Sequence, residues 1–223
     1  MSPDRPDLVL FDLDGTLVDS LPDIAYCVDL VLAEMGRPPA GEAQVRLWVG
    51  NGAERLVKRA LTGTMEGEPA DPGQFEQAHR RFLELYAEFS DRHSRLYPGA
   101  REGLAYVNGL GCAVGCVTNK PGFFTDRLLK SLGIYDDFQI VVSGDTLPKK
   151  KPDPYPLLYC AKRYRAEPAR SVMVGDSVND IQAARAAGFR ILCVSYGYNH
   201  GNDIGAEGPD AVISNLAELA AYF

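Results

Sequence analysis

Short apolar runs alternate with stretches of helical periodicity along this chain. Leu8–Phe11, 112–117, 138–142, 171–174, 191–194 and Ala211–Ile213 are largely apolar and of strand length, and 123–132, 154–164, Val178–Ala187 and 215–222 carry helical spacing. Continuous apolar strands followed by helices predict a parallel sheet covered on both faces. From 21 to 89 the alternation stops. There apolar residues recur at helical spacing: Ile24, Cys27, Val28, Val31 and Leu32; then Leu56, Val57, Ala60 and Leu61; then Phe75, Phe82, Leu85 and Phe89. Turns rich in Gly and Pro at 38–41 and 63–73 separate these helices. The pattern predicts an α/β protein: a Rossmann-like parallel-sheet core, 1–18 and 93–223, split after its first strand by a small α-helical cap, 19–92. The hinges are expected at 18–22 and 91–99. In such sheets ligands collect beyond the carboxyl ends of the strands, where strand order reverses.

At 223 residues the chain can bury a sizeable core as one large domain or two smaller ones. Its 46% hydrophobic and 24% charged residues are ordinary for a globular protein. The formal net charge of -7 argues against nucleic acid as the main partner, since phosphate backbones need a basic surface. It also requires any phosphate site to be made positive locally, by a metal or by lysines. Cys27, Cys112, Cys116, Cys160 and Cys193 form no CxxC and read as small buried thiols in a reducing compartment. Residues 1–7 are polar, with no signal-peptide core, and no apolar run approaches the roughly 20 residues of a membrane span. A cytoplasmic protein acting on a small metabolite, as monomer or homodimer, is the expectation.

The chemistry concentrates at strand ends. Asp12 and Asp14 follow the first apolar run two residues apart, so both lie on one side of a strand. Near a protein surface such a pair costs about 4 kcal/mol at 4 Å, which a cation or a reaction must justify. Three further signals follow predicted strands or open predicted helices: Thr118-Asn119-Lys120, Lys149-Lys150-Lys151-Pro152, and Gly175-Asp176-Ser177 with Asn179-Asp180. One site accommodates all four. Mg²⁺ takes oxygen ligands, usually one or two carboxylates with water and substrate phosphate, and Asp12 and Asp176 can supply the carboxylates. Thr118 offers a hydroxyl and Lys151 a cation to phosphoryl oxygens. Asp12 can attack phosphorus, and Asp14 can protonate the leaving oxygen and later deprotonate water.

These four segments, in this order and at these strand ends, resemble the four motifs of the haloacid dehalogenase superfamily, and the helical insertion is similar to that superfamily's small cap. Within it the chain resembles the phosphoglycolate phosphatases, through Phe11 to Ser20, Trp48-Val49-Gly50-Asn51-Gly52, Thr118-Asn119-Lys120 and Lys150-Lys151-Pro152-Asp153-Pro154. The resemblance implies Mg²⁺-dependent hydrolysis of a small phosphomonoester, 2-phosphoglycolate first. It implies Asp12 as nucleophile and metal ligand, and Asp14 as acid/base with its backbone carbonyl on the metal. It further implies Asp176 as the other metal carboxylate, and Thr118 and Lys151 as phosphate binders. Asn119 and the cap loop Gly50-Asn51-Gly52 are expected to read the substrate.

Plainer readings stand beside these. Turns favour Asp before Gly, as at Asp14-Gly15. A lysine run such as 149–151 is usually a solvated face; Lys151 is chosen because it directly precedes Pro152. Ser177 and Asp180 have capping-box spacing, so Asp180 either caps a helix or binds the metal directly, and a supporting role that orients Lys151 or a metal-bound water satisfies both readings. Arg46, Arg55 and Lys58 could hold a substrate carboxylate but fit a solvated surface better. Three rivals remain open. A sugar phosphomutase would more often carry Val at the position of Thr16. A dehalogenase would lack an acid at Asp14. An inactive binding module would have lost a motif residue, and none is lost.

Overall fold

The computed structural model describes residues 5–223. Its strands are β1 (Leu8–Phe11), β2 (Val18–Asp19), β3 (Arg95–Leu96), β4 (Ala113–Val117), β5 (Ile140–Val142), β6 (Ser171–Gly175), β7 (Arg190–Val194) and β8 (Ala211–Ile213). Its helices are α1 (Leu21–Glu34), α2 (Gly41–Trp48), α3 (Ala53–Thr62), α4 (Pro72–Phe89), α5 (Ala100–Gly109), α6 (Gly122–Ser131), α7 (Tyr155–Tyr164) and α8 (Val178–Ala187). The main sheet runs β5-β4-β1-β6-β7-β8, every pairing parallel. Strand β1 is therefore central. The chain builds outward from it to β4 and β5, then crosses back to β6, so the reversal falls at its carboxyl end.

Because side chains alternate across a strand, β1 feeds two layers. Val9 and Phe11 join Leu104, Val107 and Leu128 on one face; Leu8 and Leu10 join Leu157, Cys160, Ile181 and Ala184 on the other. All four β1 side chains are fully buried, which explains why the run is continuously apolar. A third cluster joins α1 to α4, with Ile24, Val28, Leu56, Val57, Phe82 and Leu85 at its centre. Phe124 and Tyr198, from the sheet-bearing part of the chain, complete it.

Several elements differ from the sequence expectation. Helix α2 buries only Val45 and Trp48, too sparse a stripe to read as helical. Helix α5 buries Ala100, Gly103, Leu104 and Val107, and its small residues conceal the period. The hinges pair as a short antiparallel ribbon, Val18 opposite Leu96 and Asp19 opposite Arg95; two residues a side carry no periodicity. The segment 215–222 is 3₁₀ rather than α, over Leu216–Ala221, and the Asn215 side chain caps it by accepting from Ala217 N–H. Next to the ribbon, buried Asp23 accepts from the backbone N–H groups of His93 and Ser94 and from the Ser94 hydroxyl, clamping one hinge to the other.

Candidate functional site

The carboxyl ends of β1, β4 and β6 bring the four segments together. Asp12 leaves β1 with its Oδ1 accepting from Leu13 N–H at 2.7 Å and from Lys151 Nζ at 2.9 Å. Lys151 is 2% exposed and also donates to Asp180 Oδ1 at 2.7 Å. The Lys151–Pro152 peptide bond is cis. Asp180 Oδ2 accepts from the N–H groups of Asp176 and Ser177 and from the Ser177 hydroxyl, which closes a capping box at the start of α8. Asp180 thus caps the helix and holds Lys151 at once. Asp176 Oδ1 accepts from the Thr16 hydroxyl at 2.9 Å, and its Oδ2 from Tyr198 N–H at 2.6 Å.

Two glycines are required by this crowding. Gly15 sits at φ 87°, and a Cβ there would run into the Asp176 carboxylate and the Tyr198 ring. At Gly175 a Cβ would meet the Asp180 carboxyl group. The Gly of each motif is a packing requirement as much as a turn residue.

Oxygens of Asp12, Asp176 and Asp180 lie within 4.8 Å of one another. Burial pushes Asp12 up to about 7 despite the pull of Lys151, and Asp180 adds to the rise. Burial likewise pushes Asp176 well up, helped by the charges of Asp12 and Asp180. Burial works against the Lys151 charge, but Asp12 and Asp180 overcome it and raise the ammonium above its ordinary value. Lys151 thus serves both Asp12 and Asp180, Asp176 is bound only by the neutral donors of Thr16 and Tyr198, and Asp12 Oδ2 has no hydrogen-bond partner among the described residues. Such a set fits a hard divalent cation, and Asp12 and Asp176 are the residues that could hold it, since Asp180 is already paired with the Lys151 ammonium and tied to the start of α8.

Asp14 faces the other way. Its Oδ1 accepts from the Ser20 hydroxyl at 2.6 Å, and both of its oxygens accept from Lys120 Nζ, at 3.0 and 3.1 Å. Lys120 is 6% exposed and donates also to Tyr86 Oη on α4, at 2.6 Å. Asp14 and Tyr86 raise its basicity over the opposing effect of burial. Neither Lys120 nor Tyr86 stands out in the sequence, although Lys120 lies in the Thr118-Asn119-Lys120 segment and Tyr86 next to Leu85 in the last helical repeat of the insertion. Nothing in the pattern tells a core tyrosine from one that points at a lysine 34 residues away.

A cavity of about 60 Å³ opens between these groups, lined by Asp12, Asp14, Thr118, Asn119 and Lys120 below and by Gly50, Gly52, Phe82 and Tyr86 above. The cap loop is docked: Gly50 O accepts from the side-chain amides of Asn119 and Asn179, and Asn51 O from Lys150. Asn119 also donates to Lys151 O at 2.9 Å. Asn51 itself turns aside to Asn179. Thr118 Oγ1 accepts from Lys120 N–H. Arg46, Arg55 and Lys58 do not reach the cavity. Arg46 lies over the Tyr198 ring, and Arg55 and Lys58 pair with Glu66, Glu68 and Glu54.

A sequence model of the haloacid dehalogenase-like hydrolase family matches residues 6–188, which include Asp12, Asp14, Thr118, Lys151, Asp176 and Asp180. The chain belongs to that family. Among the relatives of this hydrolase, the phosphoglycolate phosphatase of Nitrosococcus oceani is 53% identical over 215 residues, covering 96% of this chain and 95% of the relative. That of Thiobacillus denitrificans is 47% identical, covering 95% and 93%. Among solved structures, a predicted phosphoglycolate phosphatase from Haemophilus somnus superposes with a TM-score of 0.92 at 36% identity, over 97% of both chains. The superposition covers more of the chain than the family match does. No helix among the described residues is long and apolar enough to cross a membrane.

Proposed function

We propose that this hydrolase cleaves 2-phosphoglycolate to glycolate and phosphate, through a phosphoryl group carried on Asp12. The observation that carries the chemistry is the junction of Asp12 with Lys151, Asp176 and Asp180 beneath a docked cap loop. The substrate is argued from the relatives named above and from the small cavity. On this reading residues 1–18 and 93–223 form the catalytic core and 19–92 the cap, with α1 to α4 closing over the ester.

In the first step Asp12 Oδ2 attacks phosphorus. The P–O bond to the glycolate oxygen breaks, and Asp14 delivers a proton to that oxygen. Thr118 Oγ and Lys151 Nζ bind phosphoryl oxygens and stabilise the charge spread over them. In the second step water attacks the phosphorus of the aspartyl-phosphate, Asp14 takes its proton, and Asp12 is restored. Mg²⁺, held by Asp12, Asp176 and the Asp14 backbone carbonyl, would supply charge neutralisation between the nucleophile and the phosphate dianion. Asp180 acts through Lys151. The cap excludes bulk water while Asp12 is loaded.

The test is phosphate release with Mg²⁺ or with EDTA, across 2-phosphoglycolate, sugar phosphates, nucleotides and pyridoxal phosphate. A dominant kcat/KM for 2-phosphoglycolate, lost with EDTA, is the expected result. Faster release from another ester would overturn the substrate. Isomerisation of a sugar phosphate without net release would overturn hydrolysis.

A further inference from the structure

Lys120 is the only cation among the described residues that line the cavity. Its ammonium carries three hydrogens, which the two Asp14 oxygens and Tyr86 Oη take in the structure. Tyr86 accepts in that bond, and its own hydroxyl hydrogen has no acceptor among the described residues, although the residue is 3% exposed. Both groups face the same space. The first residues of α3 line it too, and Gly52 begins that helix with no side-chain cap, so its N–H groups add positive potential there.

We infer that Lys120 and Tyr86 form the specificity site of this enzyme, receiving a carboxylate carried two bonds beyond the ester oxygen of the substrate. The inference rests on the roles of Asp12 and Asp14 given above and adds what reads the rest of the molecule. The leaving oxygen must lie within hydrogen-bond reach of Asp14 to receive its proton. Lys120 Nζ sits on that same carboxylate, at 3.0 Å. A carboxyl group attached to the next carbon then falls beside the ammonium. It replaces one Asp14 oxygen as acceptor and takes the spare Tyr86 hydroxyl hydrogen. Asp14 stays held by its other oxygen and by Ser20. A neutral ester of the same size leaves Lys120 on Asp14 and offers no anionic acceptor to the spare Tyr86 hydroxyl hydrogen, which is how buried polar sites reject a substrate lacking its partner group. Because Tyr86 belongs to α4 and Lys120 to the loop after β4, the carboxylate is recognised only where the helical insertion meets the sheet.

The experiment compares kcat and KM for 2-phosphoglycolate and for 2-hydroxyethyl phosphate, in which a hydroxymethyl group replaces the carboxylate. Wild type, Lys120→Met and Tyr86→Phe are measured with saturating Mg²⁺. Tyr86→Phe keeps the ring that stacks on Phe82 at 5.4 Å, so its fold is preserved. In wild type the carboxylate ester is expected to win. In Tyr86→Phe the ratio of the two kcat/KM values should fall about tenfold, through KM, and in Lys120→Met by on the order of 100-fold. Equal losses on both esters would overturn the inference, because Lys120 would then act only by positioning Asp14. Unchanged kcat/KM on both esters in both variants would overturn it as well. No wild-type preference for the carboxylate ester would instead overturn the substrate reading, and the carboxylate site with it.

Discussion

Asp12 and Lys151 show how one residue's environment sets its work. Asp12 has one oxygen held by Leu13 N–H and Lys151 and the other open toward the cavity. Asp12→Asn is expected to keep the fold and lower kcat by more than about 10³-fold, the scale on which loss of a covalent nucleophile registers; steady-state phosphate release measures it. The three adjacent lysines separate sharply. Lys149 is exposed, Lys150 reaches the cap loop, and Lys151 is buried between two carboxylates. Removing one member of a buried charge cluster costs about 3–5 kcal/mol, and the phosphate would lose its cation as well. Lys151→Ala should therefore abolish turnover and lower the denaturation midpoint, whereas Lys149→Ala should change stability by less than about 0.5 kcal/mol. Urea unfolding of both variants checks the contrast.

At the scale of elements, each strand end hands its loop to a helix whose first turn holds the site in shape. Helix α8 is the clearest case, since its capping box is also the support of Lys151. Ser177→Ala removes a hydroxyl that donates to Asp180 Oδ2 and caps the helix. It should cost about 1 kcal/mol, or about 2–4 °C in Tm for a chain of this size. The same change should lower kcat, because Asp180 is then less firmly held beside Lys151. Thermal unfolding and kinetics on one preparation test both; a fall in Tm with unchanged kcat would separate the cap from the site.

At the scale of the whole molecule, the buried carboxylates couple stability to pH and to the cation. Asp12 binds its proton more tightly folded than unfolded, at about 7 against an ordinary 3.8. Its stabilising contribution is thus complete below about 4 and is lost as pH rises through about 7. Asp176 shifts in the same direction. A divalent cation replaces those protons and binds best when they have left. Magnesium should therefore raise Tm more at pH 8 than at pH 5. Unfolding curves at the two pH values with Mg²⁺ or EDTA decide this, and an equal increment at both would refute the coupling.

The residues alone carried the parallel sheet, the helical insertion and the four strand-end motifs, because each is written in local periodicity or in unlike residue types at short spacing. The convergence of Asp12, Asp14, Thr118, Lys151 and Asp176 on one strand-end site was legible for that reason, and so was the helix cap at Asp180. Helices α2 and α5 and the hinge ribbon were not, because two buried side chains, a run of small residues or two paired residues leave no periodic mark. The choice of Lys151 over its neighbours rested on Pro152; its burial between Asp12 and Asp180 comes from the packing of α8 against β6. Lys120 and Tyr86 meet only because the helical insertion sets α4 over the end of β4. A contact between residues so far apart in sequence, on separate layers, depends on how whole elements stack, and no local pattern encodes it.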